Sequence, residues 1–297
     1  MADAAQPLTG RVAIVTGAGG GLGREHALAL AEAGARVVVN DVGPGADETA
    51  ELIVGTGGQA TPERSSVADW EAGAARVRLA IETYGDLHIV INNAGITRDR
   101  MSFSMSEEEW DTVVDVHLKG HFVPAHHAAV YWRAESKEGR DAPRRLVHTT
   151  SESGLFGAPG QTNYGSAKGG ILTLSLALAR ELHKYGVTSN VIAPRARTPM
   201  TANVPNMGAP EDPRAFDTYN PANVSPFVAW LCTDDAADVN GQTFIVGGSA
   251  IFLLRPYAHA GEIRAGGRWT IDGISANKAA LFGENDPGIP PFDAPAF

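Results

Sequence analysis

Along the chain, short apolar runs rich in β-branched residues alternate with longer stretches whose apolar positions recur at helical spacing. That alternation predicts an α/β fold, a parallel sheet covered by helices on both faces. The predicted strands are Arg11–Thr16, Arg36–Asn40, Leu87–Asn92, Arg145–Thr150, Thr188–Ala193 and Thr243–Val246. A further strand is placed at Gln59–Ser65, although Pro62 and its polar neighbours are poor strand formers. Helices are predicted near 22–34, 69–84, 107–133, 162–184 and 225–232. The one near 107 opens on Ser106-Glu107-Glu108-Glu109, a capping box in which Ser106 and Glu109 satisfy free backbone donors reciprocally. The stretch from Pro199 to Pro226, rich in Pro, Asn and Asp, reads as a long excursion of the kind that forms lids and binding loops.

Composition narrows the picture. A chain of 297 residues, 43% hydrophobic, can bury a single large core, so one domain over 1–250 is expected. Residues 251–297 then form a C-terminal extension, packed on that domain, on a neighbouring subunit or over the active site. Its end, from Asn285 to Phe297, carries four prolines and is expected to be an extended arm or disordered. The formal charge of −10 argues against nucleic acid or an anionic membrane surface as partner. The single cysteine, Cys232, is read as a small buried hydrophobe. Met1–Gly10 lacks the basic start and apolar run of a signal peptide, and no apolar run reaches bilayer length, so a cytoplasmic protein is expected.

Candidate chemistry begins after the first strand, at Thr16-Gly17-Ala18-Gly19-Gly20-Gly21-Leu22-Gly23. Glycines there let backbone approach a pyrophosphate, and the following helix offers free N–H groups and the positive end of its dipole. Asp41 ends the second strand 18 residues beyond Gly23, where a carboxylate accepts from both ribose hydroxyls and repels a 2′-phosphate. Gly20 leaves no basic side chain in the loop, with Arg24 the nearest candidate. NAD is therefore favoured over NADP.

Tyr164 and Lys168 stand at i and i+4, on one helical face. A nearby ammonium is expected to lower the phenol's pKa, letting Tyr164 exchange a proton with a substrate oxygen. Ser151, just past the fifth strand, can hydrogen-bond the same oxygen.

These elements, with Asn92-Asn93-Ala94-Gly95 and Asn190-Val191-Ile192-Ala193-Pro194, resemble the short-chain dehydrogenase/reductase family over roughly residues 8 to 250. The resemblance implies a Rossmann-type, doubly wound parallel sheet of seven strands. It implies Ser151, Tyr164 and Lys168 as catalytic residues, with Lys168 also on the nicotinamide ribose. Gly17, Gly21, Leu22, Gly23 and Asp41 would hold the cofactor, as would Asn93, Ala94 and Gly95. It further implies Val67 beside the adenine, Pro194 and the segment after it beside the nicotinamide, and a homodimer or homotetramer built through the two long helices.

Departures from the family pattern are informative. His117 stands where most relatives have an asparagine supporting a water-mediated proton relay; an imidazole can hold that water or relay a proton itself. Ser66 replaces an aspartate that often contacts adenine. Arg195 replaces the glycine after Pro194, and Thr198 comes one residue early for its bond to the carboxamide. His121, His126 and His127 share a helix but lack supporting carboxylates or cysteines, so no metal is expected. The pattern Val39-Asn40-Asp41, His117 and Met200-Thr201 is similar to the branch containing the dehydrogenase domain of peroxisomal multifunctional enzyme type 2 and bacterial hydroxysteroid dehydrogenases. That implies an oxidoreductase passing a hydride between NAD(H) and a secondary alcohol or ketone on a bulky apolar substrate, a 3-hydroxyacyl thioester or hydroxysteroid. Val204, Met207, Phe216 and Tyr219 are candidates for apolar cover, as are Leu155 and Phe156. The alternatives are an NADPH-dependent 3-oxoacyl carrier-protein reductase, disfavoured by Asp41 and Gly20, and a dinucleotide sensor without chemistry, disfavoured by the intact Ser151, Tyr164 and Lys168.

Overall fold

In the computed structural model, which describes residues 6–201, 207–212, 214–255 and 257–295, alternate strand residues point into two separate cores. Ala13, Val15, Val37, Val39, Ile89 and Ile91 pack in one, while Val12, Ile14, Val38, Val90 and Leu146 pack in the other. A sheet buried on both faces needs apolar residues at consecutive positions, which is why its strands read as near-continuous apolar runs.

The strands are β1 (Val12–Thr16), β2 (Arg36–Asn40), β3 (Gln59–Glu63), β4 (Ile89–Asn92), β5 (Arg144–Thr149), β6 (Val187–Arg195), β7 (Thr243–Gly247) and β8 (Ala250–Leu254). They lie in the order β3-β2-β1-β4-β5-β6-β7-β8. β1 pairs with both β2 and β4, so the topology switches direction there and leaves a crevice at the carboxyl ends of β1 and β4. All pairings are parallel except β7 with β8. β3 survives Pro62 because it is an edge strand, where a missing donor costs least.

The helices are α1 (Gly21–Glu32), α2 (Gly45–Gly55), α3 (Trp70–Tyr84), α4 (Glu107–Val114), α5 (Gly120–Lys137), α6 (Glu152–Phe156), α7 (Thr162–Leu182), α8 (Ser225–Leu231), α9 (Ile271–Ala276) and α10 (Lys278–Phe282). Residues from α1, α2 and α8 enter the first core; α3, α5 and α7 supply the second. The capping box forms at the start of α4 as expected. Among the described residues, no helix is long and apolar enough to cross a membrane.

The structure corrects the expected sheet and helix boundaries in three places. The sheet has eight strands rather than seven. Gly248, at φ 53, turns the chain in a two-residue hairpin, and Ala250–Leu254 returns antiparallel along β7. The sequence reading also lacks α2, whose buried positions Ala46, Thr49, Ala50 and Ile53 follow helical spacing but are mostly small. Thirdly, the predicted helix 107–133 is interrupted by a π-helical turn over Asp115–Lys119, which holds His117. Such turns recur at functional sites.

Trp132 of α5 is 1% exposed, and its indole N–H donates to the Leu87 carbonyl at 2.7 Å. Trp132→Ala removes both the ring and that partner, and is expected to lower stability by about 3–5 kcal/mol. Urea unfolding measures this; a loss under about 1 kcal/mol would show that the second core collapses around the gap.

Candidate active site

Gly17 leaves β1 at φ 63, and a Cβ on it would meet the Ala94 Cα at 2.6 Å. A Cβ on Gly23 would lie 2.1 Å from the Gly17 carbonyl oxygen. These two close approaches bring the end of β4 and the first turn of α1 against the loop. Asn93 staples the arrangement, its Nδ2 donating to the carbonyls of Thr16 at 3.1 Å and Gly17 at 3.2 Å. α1 starts with no side-chain cap and no acidic residue in its first turn, so its N–H groups and dipole remain directed at an anion.

The loop opens into a cavity of about 340 Å³. Gly17, Gly21 and Leu22 line it, together with Asn93 and Gly95. Asp41 lies at the same end, where its two carboxylate oxygens accept from the N–H groups of Gly19 at 3.0 Å and Gly43 at 3.1 Å. Arg24 donates to Glu48, Thr49 and the Gly19 carbonyl. Ser151, Tyr164, Lys168 and His117 line the other end, with Pro194 and Thr198.

Three of the expected cofactor residues do not line the cavity. Gly23 and Ala94 pack behind the loop, as just described. Val67 is buried against Gly120, where a Cβ would meet its Cγ2 at 2.6 Å. Of the expected apolar cover, Met207, Phe216, Tyr219, Leu155 and Phe156 also lie off the lining, and Val204 falls outside the described residues. Met200 and Thr201 line the cavity instead, as do Ala196, Thr149, Thr150 and Gly20. Thr149 and Thr150 had a legible signal, since they end a central strand at the crevice.

The catalytic end is set by β5 and α7. Thr150 Oγ1 donates to the Lys168 carbonyl at 2.7 Å, and Lys168 Nζ donates to the Thr149 carbonyl at 2.7 Å. The ammonium stands 5.6 Å from the centre of the Tyr164 ring. Lys168 is only 2% exposed, and burial pulls its pKa from 10.5 down to about 7. The phenol moves against expectation. Burial pushes its pKa above the ordinary value and Asp99 adds to that, while a hydrogen bond with Ser151 opposes it. Burial of both groups outweighs the attraction expected from their spacing, because a site that disfavours the ammonium also disfavours the phenolate.

His117 lies edge-on to Tyr164, with ring centres 5.0 Å apart. Its Nε2 lies 2.7 Å from the Ile96 carbonyl oxygen and 3.0 Å from the Ile96 nitrogen, donating to the first in one tautomer and accepting from the second in the other. Nδ1 is buried with no partner among the described residues. Burial, and then the charge of Lys168, lower its pKa to about 3, so the ring is neutral at physiological pH. His121 stacks on the buried His148, and both are lowered by burial. His126 and His127 pack on Trp70. Among the described residues no three His, Cys, Asp or Glu side chains converge as a metal set.

The sequence pattern of the short chain dehydrogenase family matches residues 11–208, and the chain belongs to that family. It is an oxidoreductase fold built for hydroxyl and keto groups, in a family that uses a nicotinamide dinucleotide. A hydroxyacyl-CoA dehydrogenase of Mycobacterium tuberculosis, ChsB1, is 46% identical, with 94% of this chain and 91% of that one covered. Mouse peroxisomal multifunctional enzyme type 2 is 42% identical over 83% of this chain, which spans 33% of that longer enzyme. The crystal structure of a short chain dehydrogenase from Mycobacterium avium superposes with a TM-score of 0.88 at 44% identity, covering 97% of this chain and all of the other.

Proposed function

We propose that this chain is an NAD-dependent dehydrogenase acting on the secondary hydroxyl of a 3-hydroxyacyl thioester, or on the matching ketone. The observation that carries the reading is one cavity holding Asp41 at one end and Ser151, Tyr164 and Lys168 at the other. The glycine cradle fits a dinucleotide because its backbone approaches leave no room for side chains. Bound there, the nicotinamide supplies the hydride donor or acceptor.

Each residue then has a distinct task. Ser151 and Tyr164 hydrogen-bond the substrate oxygen, and the phenol, held in its protonated form by burial, is the acid toward a ketone oxygen. Lys168, with a pKa near neutrality, takes up or returns the proton that Tyr164 exchanges. His117 serves as a neutral water-holder. With a pKa of about 3, charging it at neutral pH costs about 5 kcal/mol, which favours holding a water over carrying the proton as imidazolium. Its Nδ1, which has no partner among the described residues, is the atom that would bond a relay water, as acceptor or donor according to the tautomer.

NAD rather than NADP is supported by Asp41 at the ribose end and by Arg24 being occupied by Glu48. The thioester substrate is supported by the hydroxyacyl-CoA relative and by apolar Met200 and Ala196 beside the catalytic group.

Titration with NADH and with NADPH, followed by nucleotide fluorescence, is the first test. NADH is expected to bind at least about tenfold more tightly, and Asp41→Ala to erase most of that preference; equal affinities in the unaltered chain would overturn the cofactor reading. Tyr164→Phe is expected to cut turnover of 3-hydroxyacyl thioesters by roughly a thousandfold or more with NADH affinity unchanged. Turnover that survives it would sink the mechanism. His117→Asn keeps a donor for the Ile96 carbonyl and a carbonyl acceptor for the water. The pH–rate profile should therefore keep its shape, whereas loss of a limb in the asparagine variant would show that the imidazole itself titrates in catalysis.

A further inference from the structure

The segment beyond β8 makes little contact with the rest of the chain. From Tyr257 to Asp293 nearly every residue is exposed, including most of α9 and α10. The chain then returns to the body at Phe156 and Arg195. The Phe292 ring meets Phe156 at 5.4 Å between centres, inclined at 64°. Three residues on, the Pro295 carbonyl accepts from the Arg195 guanidinium. A turn closed by the Ala294 N–H on the Phe292 carbonyl, at 3.0 Å, presents both anchors to the same face.

Neither anchor residue lines the cavity itself, but each follows closely in the chain on residues that do. Arg195 stands between the lining residues Pro194 and Ala196. Its Nε donates to both carboxylate oxygens of Glu152 at 3.0 Å, and Glu152 follows Ser151 at the start of α6. Phe156 ends that helix. Thus Arg195 joins β6, α6 and the returning arm in one charge-assisted junction. The carboxylate fixes the direction of the guanidinium, which is thereby aimed at the Pro295 carbonyl of the arm. Phe292 itself remains 48% exposed.

We infer that Phe292–Pro295 forms the outer wall of the substrate cleft and selects substrates with an extended apolar chain. A substrate whose hydroxyl reaches Ser151 and Tyr164 projects the rest of its length past α6. A short chain ends inside the cavity, while a long one runs onto the paired Phe156 and Phe292 rings. This rests on the hydroxyacyl reading only for the substrate that carries the chain.

Phe292→Ala tests the wall in the full chain, with 3-hydroxybutyryl and 3-hydroxypalmitoyl thioesters and a matching series of plain secondary alcohols. The expected result is a KM raised roughly tenfold for the long chain, with the short-chain KM, kcat and NADH affinity within about twofold. Phe292→Trp enlarges the same surface and is expected to lower the long-chain KM. Equal effects on short and long chains would reduce Phe292 to a structural anchor, and no effect on either would place the arm outside the substrate path; both overturn the inference. If the unaltered chain oxidises no thioester but the alcohols still show the length-dependent effect, the thioester reading fails and the wall stands.

Discussion

The desolvation of one ammonium governs the candidate catalytic end of this molecule. Lys168 is almost fully enclosed, and its Nζ donates to the Thr149 carbonyl. A pKa of about 7 in place of 10.5 means that the enclosure disfavours its charge by about 5 kcal/mol relative to water. The fold accepts that cost because β5 and α7 are locked at this point. Thr150 ties its hydroxyl to the Lys168 carbonyl, and α6 presses so near that a Cβ on Gly154 would lie 2.6 Å from the Lys168 backbone. The unfolded lysine keeps its proton up to about pH 10.5, the folded one only up to about 7. The destabilisation is therefore full below neutrality, shrinks as pH rises between those values, and vanishes above them.

The same enclosure organises the neighbouring bases. His117, His121 and His148 are all pushed toward the neutral form, and the field of Lys168 contributes to the first two. Three neutral imidazoles thus surround a lysine poised near neutrality, and on the proposed mechanism proton exchange falls to Lys168 and Tyr164. The π-helical turn matters here, since it places His117 edge-on to Tyr164 while leaving Nε2 on the Ile96 carbonyl. A Cβ on Gly95 would lie 2.4 Å from the imidazole Cε1, so the glycine after the β4 turn makes room for a ring at this position.

Much of this architecture was legible in the sequence because it follows from local rules. Strands buried on both faces give unbroken apolar runs, and the phosphate loop, Asp41 and the Tyr164/Lys168 spacing stand at fixed offsets from them. α2 escaped because Ala46, Thr49 and Ala50 bury little apolar area, so helical periodicity leaves a faint trace. β8 escaped because Ala250-Ile251-Phe252-Leu253-Leu254 has no polar alternation, although the strand exposes every second residue. The direction of the Tyr164 shift was unreadable for a different reason. Spacing gives the identity of a neighbour, but the depth to which both partners are buried is a property of the assembled layers. There, desolvation outweighs pairing.

Arg195 shows how one unusual residue is accommodated by distant parts of the chain. It pairs in register with Gly247 across β6 and β7, where a Cβ would lie 2.8 Å from the Arg195 Cβ and carbonyl oxygen. A larger residue at 247 would therefore displace the arginine's backbone. Glu152 neutralises the guanidinium at a mostly enclosed position, where an unpaired charge would be costly. Gly247 also starts the hairpin that sends the chain into β8 and the extension, whose far end returns to the same guanidinium. The glycine that makes room for Arg195 thus also directs the chain into the segment that Arg195 later holds. Sterics and charge at this one strand end connect the C-terminal arm to β6 and α6.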